Sequence, residues 1–259
     1  MKLYYSFLIG IAIPCFLGAP AVMAQPPLPS PQATRPPQPL ADFTAVSVRG
    51  PIKLMLEKPT EGEQNFFQIA GEQHSAISVK VSDNTLYLQA DESDQPTTAT
   101  VGVAQLNQLM VDGSASVSSH QLSSSSLSID ANTSGSIELS GMINLNRLLS
   151  SGKGLINIQW VDSSNLRIDG SDSSRIQLAG VAGSVEMRLK DDSLFQGQYL
   201  RIDRIFIQTK DYSTAKLLVN DSLRAFAYDH SNIYYYKRPA ELTEFTSGSG
   251  NILQLGWGK

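Results

Sequence analysis

Apolar residues recur at a nearly fixed interval through the chain from Leu106 to Leu255. The positions that we name anchors follow one another at 18 to 20 residues: Val117, Ile137, Ile156, Ile176, Phe195, Ala215, Ile233 and Ile252. Self-similarity at an interval of this length is typical of a solenoid, in which each repeat stacks on the one before. We refer to one repeat as a rung.

Each rung contains two apolar-x-apolar pairs. Leu166/Ile168 and Ile176/Leu178 are one example: the first pair lies ten and eight residues before the anchor, and the second begins at the anchor. Alternation with a period of two residues indicates strands. The residues between the pairs are small or polar, as turns require, and the position two residues before each anchor is always Ala, Gly or Ser.

Two short strands per rung predict an all-β fold, a single-chain right-handed parallel β-helix with rungs of about 18–20 residues over residues 106–259. A leucine-rich repeat has a similar length, but its Leu/Asn consensus is missing from this chain. Rungs stack at about 4.8 Å, so eight of them make a rod roughly 40 Å long. The stacked apolar columns supply a continuous core that a single rung lacks.

Residues 41–105 also alternate, for example at Ile52, Leu54 and Leu56, but their turns are longer and less regular. We predict that they form irregular first coils or a capping sheet of the same domain. Such a cap covers the open end of a solenoid, whose edge otherwise pairs with other chains.

Short motifs in the chain resemble a known bacterial family. They are Gly154-Leu155-Ile156-Asn157, Gly248-Ser249-Gly250-Asn251-Ile252 and the opening segment from Phe43 to Glu57. Over residues 41–256 the chain resembles the family named putative autotransporter adhesin head GIN domain. The resemblance implies a single-chain parallel β-helix on an exported protein, and it carries no catalytic residues.

The N-terminus has the features of an export signal. Lys2, an apolar run and the small residues around Ala24 predict a signal peptide at 1–24, with an uncleaved anchor as the alternative. The sequence Ile13-Pro14-Cys15 departs from the lipoprotein pattern, and Cys15 is the only cysteine. Residues 25–40 contain seven prolines in 16 positions, which predicts an extended linker.

The expected location is therefore outside the cytoplasm: periplasmic, associated with the outer envelope, or secreted. No stretch after the signal peptide is long and apolar enough for a membrane span. The chain has 20 basic and 24 acidic residues, and no basic cluster is longer than Lys237-Arg238. Nucleic acid is therefore not an expected partner.

Consecutive rungs place an aspartate four residues before the anchor. These residues, which we name the aspartate ladder, are Asp172, Asp191, Asp211 and Asp229. Stacking brings their carboxylates about 5 Å apart, a spacing at which oxygen ligands hold Ca²⁺. The alternative is that Asp stabilises a turn by hydrogen bonding to the backbone. Ca²⁺ is the only cofactor considered, and otherwise none is expected.

Aromatic residues are concentrated near the C-terminus. The candidate ligand-binding residues are Tyr212, His230, Tyr234, Tyr236, Lys237 and Arg238. Strand alternation turns Tyr234 and Tyr236 away from the core, where they are able to stack on sugar rings or anchor a protein. Lateral packing under a loop is the alternative.

Motifs for catalysis are absent from the sequence, and His74, His120 and His230 are scattered along the chain. We therefore predict a non-enzymatic binding or adhesion protein that acts through its lateral surface on a glycan or a cell-surface protein. One alternative is a polysaccharide lyase, with Asp172/Arg175 or Asp191/Lys190 as candidate residues. Another is a purely structural spacer of the cell envelope. The sequence leaves the oligomeric state open.

Overall fold

The structure is a computed structural model that describes residues 37–60, 64–70 and 77–256. The predicted signal peptide, 1–24, and linker residues 25–36 lie outside the described residues. Within the described ranges every regular element is a β-strand.

The N-terminal strands are short. They are β1 (Gln38–Pro39), β2 (Ala45–Arg49), β3 (Ile52–Glu57), β4 (Phe66–Ala70), β5 (Ser78–Ser82), β6 (Thr85–Gln89), β7 (Thr97–Gly102) and β8 (Gln108–Gly113).

The strands that follow are longer until the C-terminal end. They are β9 (Ser116–Thr133), β10 (Ser136–Gly152), β11 (Leu155–Gly170), β12 (Arg175–Leu189), β13 (Leu194–Thr209), β14 (Thr214–Ala227), β15 (Asn232–Tyr235), β16 (Glu241–Thr246) and β17 (Asn251–Gln254).

The anchors stack directly on one another in parallel register. The neighbouring pairs are Val117–Ile137, Ile137–Ile156, Ile156–Ile176, Ile176–Phe195, Phe195–Ala215, Ala215–Ile233 and Ile233–Ile252. The chain is a β-solenoid of about eight turns. The predicted all-β parallel β-helix is thus confirmed.

From β9 to β14 each rung contains one long bent strand instead of two short ones. The bend follows the anchor pair, at shifts of register such as the one between Ile158 and Val161 in the pairing of β11 with β12. Gly141 and Gly180 lie at such bends with φ of 141° and 136°. A Cβ atom at either position would overlap a backbone oxygen of the preceding rung, so these bends require glycine.

The core contains more columns than the apolar pairs predicted. Six residues before successive anchors lie Ala131, Ser150, Gly170, Leu189, Thr209 and Ala227, and all are buried. Their types range from Gly to Leu because each side chain fills whatever space its own rung leaves. A column of this kind has no constant hydropathy along the chain.

The first rungs are not stacked in chain order. β2 lies between β6 and β8, and β3 lies between β7 and β9, all in parallel register. β4 and β5 add antiparallel edges to β7 and β6, and β1 pairs with β4. Antiparallel strands thus border the outermost N-terminal rung, and the folded part begins within the segment predicted as a linker.

The last rung places polar residues where earlier rungs place apolar ones. Glu244 continues the core column of the buried Ala225 but is exposed at the end of the solenoid, beside the buried Tyr235. The pKa of Tyr235 is raised, mainly by burial. The negative charge of Glu244 and a hydrogen bond to this residue raise it further. A polar end rung of this kind does not favour the addition of another rung.

Candidate functional site

The aspartate ladder occupies a column of left-handed backbone. Asp172, Asp191, Asp211 and Asp229 have φ between 56° and 60°, and Gly152 and Gly248 continue the column with φ of 83° and 70°. Glycine tolerates this conformation best, and Asp is among the few other residues that adopt it readily. The left-handed backbone therefore explains why these positions of the column are Asp or Gly, whereas Thr133, four residues before Ile137, is not among the residues with positive φ.

Each carboxylate of the ladder also bonds to the rung before it. The N–H of Gly152 donates to Asp172 at 3.0 Å, and that of Asp172 donates to Asp191 at 3.1 Å. The N–H groups of Asp191 and Asp211 donate to Asp211 and Asp229 at 3.3 and 3.5 Å. Four backbone N–H groups thereby bind the stacked carboxylates.

No group of three or more His, Cys, Asp or Glu side chains with the geometry of a metal site is found in the part of the chain that the structure describes. The geometry of the aspartate ladder favours the turn-stabilising interpretation. Ca²⁺ binding there stays a prediction that needs a direct test.

Substitutions of Asp211 distinguish the two interpretations. Asp211→Asn keeps both the tolerance of positive φ and a side-chain acceptor, so we expect little change in thermal stability. Asp211→Ala loses both and should cost about 1–2 kcal/mol. The measurement is thermal unfolding with and without a calcium chelator. A chelator-induced drop in the melting temperature of the wild type, absent from Asp211→Asn, would instead establish a calcium site.

Tyr212 and His230 lie at the same turn position on adjacent rungs. Their rings stack with centroids 5.1 Å apart and planes inclined by 16°. Tyr212 is 66% exposed and His230 is also exposed. The pair forms an open, flat aromatic surface at the edge of the solenoid.

The other four predicted residues follow on the next strand and just beyond it. Tyr234 and Tyr236 are half-buried and flank the buried Tyr235. Tyr234 stacks on Lys216 of the preceding rung and under Leu253 of the next. The Nζ of Lys237 donates to Asn220 Oδ1 at 3.2 Å, and Arg238 is exposed.

A second aromatic cluster lies on the strand side that precedes the turn, and we name it the aromatic zigzag. It consists of Phe206, Phe226, Tyr228 and Phe245. Centroid distances are 5.4 Å from Phe206 to Phe226, 6.1 Å from Phe226 to Phe245 and 5.9 Å from Tyr228 to Phe245. The rings are tilted by 41–55°, a favourable arrangement for aromatic pairs.

Together these side chains form a band around one turn. On one rung, Phe226, Tyr228 and His230 are every second residue before the turn. Tyr234 and Tyr236 are again two residues apart on the strand that follows the turn. Sequence reasoning did not select Phe206 or Phe245. A search for aromatic residues that recur in outward columns would have found Phe245, because it pairs with Phe226 in register.

A third set of exposed apolar residues lies at the bends and was also missed. Met142, Trp160 and Tyr199 are 77%, 72% and 62% exposed. Trp160 has a φ of 65°, which is uncommon for so large a residue. The three residues follow their anchors by four or five positions, so a column search would again have placed them together.

The residues considered for a lyase lie at the ladder and beside it. Lys190 Nζ is 3.8 Å from the carboxylate of Asp191, and both belong to one turn. Asp172 accepts the N–H of Gly152, and Arg175 opens β12 as an exposed side chain. The first contact lies within one turn, and the second joins the turns of two adjacent rungs.

The fold and its surfaces define a class: a single-chain parallel β-solenoid with aromatic side chains displayed along its lateral faces. The chain belongs to the family described as "putative auto-transporter adhesin, head GIN domain", whose model matches residues 42–239. This membership confirms the resemblance noted in the sequence motifs. A comparison with curated proteins gives no match.

Crystal structures of several bacterial proteins are similar in fold. A "putative adhesin" from Bacteroides fragilis shares 19% identity with a TM-score of 0.64, covering 86% of this chain and 96% of that one. A "putative lipid binding protein" from Parabacteroides distasonis shares 14% identity with a TM-score of 0.73 and the same coverage. A "putative adhesin" from Parabacteroides merdae shares 16% identity with a TM-score of 0.72, covering 86% and 95%.

At these identities the likeness shows the fold alone. Across the described residues there is no helix of sufficient length and apolar character to cross a bilayer.

Proposed function

We propose that this protein is an exported, non-enzymatic adhesion-type protein that binds its partner through the aromatic band on its C-terminal rungs. One observation carries the proposal: the aromatic zigzag and the Tyr212–His230 pair place tilted and stacked rings side by side on the lateral surface. Large aromatic side chains supply much contact area for little conformational entropy, and they are enriched in binding surfaces.

The architecture supports this use. Parallel rungs hold outward side chains at a spacing of about 4.8 Å across strands, so the band needs no rearrangement before it binds. The family name and two of the similar structures are those of adhesins, which agrees with an exported or surface protein. The predicted signal peptide at 1–24 agrees with export as well.

Attachment of the purified protein to a glycan array and to bacterial cells tests the proposal. We expect Phe226→Ala with Phe245→Ala to weaken attachment at least tenfold, about 1.4 kcal/mol. Tyr234→Ala with Tyr236→Ala tests the other end of the band, and we expect a loss of the same size.

The matched control is Tyr87→Ala with Tyr199→Ala, which removes two exposed aromatic residues outside the band. It should leave attachment unchanged, and circular dichroism should be the same for all variants. Equal attachment by the band variants and the control would contradict the proposal. Release of unsaturated sugars from an acidic polysaccharide would instead favour the lyase alternative.

A further inference from the structure

Cationic side chains without ion-pair partners flank the aromatic zigzag. Among the described residues, Arg204, Arg224 and Lys210 form no ion pair, and all three are exposed. Arg188 differs, since it pairs with Glu186 and lies 4.0 Å from Asp169. The whole chain has a formal net charge of −4, so attraction of an anion to this surface has to come from these individual side chains and not from the overall charge.

The strand register places these cations next to the rings. Arg204 precedes Phe206 by two residues on β13, and Arg224 precedes Phe226 by two residues on β14. Arg224 is also the direct neighbour of Phe206 across the two strands. Lys210 lies beyond the other side of the rings, six residues after Arg204, which corresponds to about 20 Å along a strand.

Two shallow grooves border the aromatic zigzag, and each combines cations with an aromatic ring. One, of about 480 Å³, is lined in part by the cations Arg188, Lys190 and Lys210, the acids Asp130 and Asp169, and Tyr228. Arg188 and Lys190 are paired with Asp169 and Asp191, so Lys210 is the cation of this groove without an ion pair among the described residues. The other, of about 490 Å³, is lined in part by Arg204, Phe206 and Arg224. Glu186 and Glu241 also line the second groove, and Glu186 is already paired with Arg188.

This combination matches the chemistry of an acidic sugar chain. The guanidinium fork of arginine binds carboxylates through two parallel hydrogen bonds. Aromatic faces pack against the apolar C–H faces of sugar rings and exclude water from the contact. Alternating rings and cations along strands therefore fit a ligand that is flat, repetitive and negatively charged.

An anionic membrane would also attract the cations, but the rings are poorly placed to enter it. Phe206, Phe226 and Tyr228 are half-buried, and only Phe245 of the four rings is exposed, at 50%. Membrane-surface binding requires apolar side chains that reach below the headgroups. A half-buried, flat cluster is better suited to stacking than to insertion.

We propose that the aromatic zigzag, with Arg204, Arg224 and Lys210, binds an acidic polysaccharide whose sugars bear carboxylates. The two arginines bind the carboxylates, and the rings stack on the sugars between them. This inference rests on the proposed adhesion function and names the class of ligand for one part of the aromatic band.

The test compares a charged and an uncharged form of one polymer: polygalacturonate and its methyl ester. The variant Arg204→Gln with Arg224→Gln removes two positive charges from the surface. The control Lys53→Gln with Lys80→Gln removes two exposed positive charges from the N-terminal region. Binding is measured for each protein with both polymers and with phosphatidylglycerol vesicles, at low and high salt.

We expect the wild type and the control to bind polygalacturonate. Their affinity for the methyl ester should be about tenfold lower, and high salt should weaken their binding to polygalacturonate. The arginine variant should lose about tenfold in affinity for polygalacturonate only. Equal binding of the wild type and the arginine variant, or no binding of polygalacturonate at all, overturns the inference. Binding to vesicles alone, with the same dependence on Arg204 and Arg224, overturns it in favour of a membrane.

Failure of this inference is distinguishable from failure of the proposed function. If Phe226→Ala with Phe245→Ala abolishes attachment to cells while the arginine variant attaches normally, the adhesion function stands and the acidic ligand is rejected. If the arginine pair, the phenylalanine pair and the pair Tyr234→Ala with Tyr236→Ala all leave attachment unchanged, the band itself is rejected.

Discussion

Ile176→Asp is expected to abolish cooperative folding of the middle of the solenoid. Ile176 is 1% exposed and stacks between Ile156 and Phe195 in the anchor column. An unpaired carboxylate at this position loses its hydration without gaining a partner, which costs several kcal/mol. Because proteins of this size are typically stable by only about 5–15 kcal/mol, the substitution should remove much of that stability.

The adjacent residue supplies the control. Gln177 lies on the same strand, faces outward and is partly exposed. We expect Gln177→Ser to change the free energy of unfolding by less than about 0.5 kcal/mol. Urea unfolding followed by circular dichroism measures both variants. Equal shifts of the two midpoints would show that Ile176 does not face the core.

The regular part of the fold was predictable because its main columns are chemically constant. Ile156 and Ile176 stack on each other, and both are branched apolar residues that alternation places inward. The column that contains Gly170 and Leu189 was not predictable, since the volume required there depends on neighbouring rungs. Hydropathy is a property of single residues, whereas packing constrains the summed side-chain volume of several neighbouring residues.

The order of the first rungs was beyond the sequence for a different reason. Alternation marks β2 and β6 as strands but does not specify which strands pair. Consecutive strands usually lie next to each other, and here β2 instead separates β6 from β8. The irregular turns predicted irregular first coils or a capping sheet, and the sequence does not specify how these strands pair.

The candidate site was predictable in part. Tyr234 and Tyr236 were selected because they flank an inward residue on a clearly assigned strand. Arg204 and Arg224 were not selected, because they are 20 residues apart in the sequence. They come within one rung of each other only when the strands stack with Arg224 opposite Phe206. A surface patch of a solenoid consists of residues in the same columns of adjacent rungs. Charged residues that are far apart in the sequence therefore cannot be assigned to one patch until the strand register is known.

Phe195 and Gly197 show how one rung compensates for an oversized anchor. A Cβ atom at Gly197 would overlap the ring of Phe195, and both residues are buried. The rung before has Ile176 and Leu178 at the corresponding positions, and the rung after has Ala215 and Leu217. The large ring therefore occupies space that a leucine fills in the neighbouring rungs.

A double-mutant cycle tests this compensation. Gly197→Leu alone overpacks the core and should cost about 1–3 kcal/mol or more. Phe195→Ile alone should also destabilise, because it leaves the space of the ring partly empty. The double variant recreates the Ile–Leu pair of the preceding rung, so we expect it to be more stable than the sum of the two losses predicts, by roughly 1–3 kcal/mol. Free energies of unfolding from urea titrations provide the four corners of the cycle. Additive losses would show that the ring and the glycine are accommodated independently.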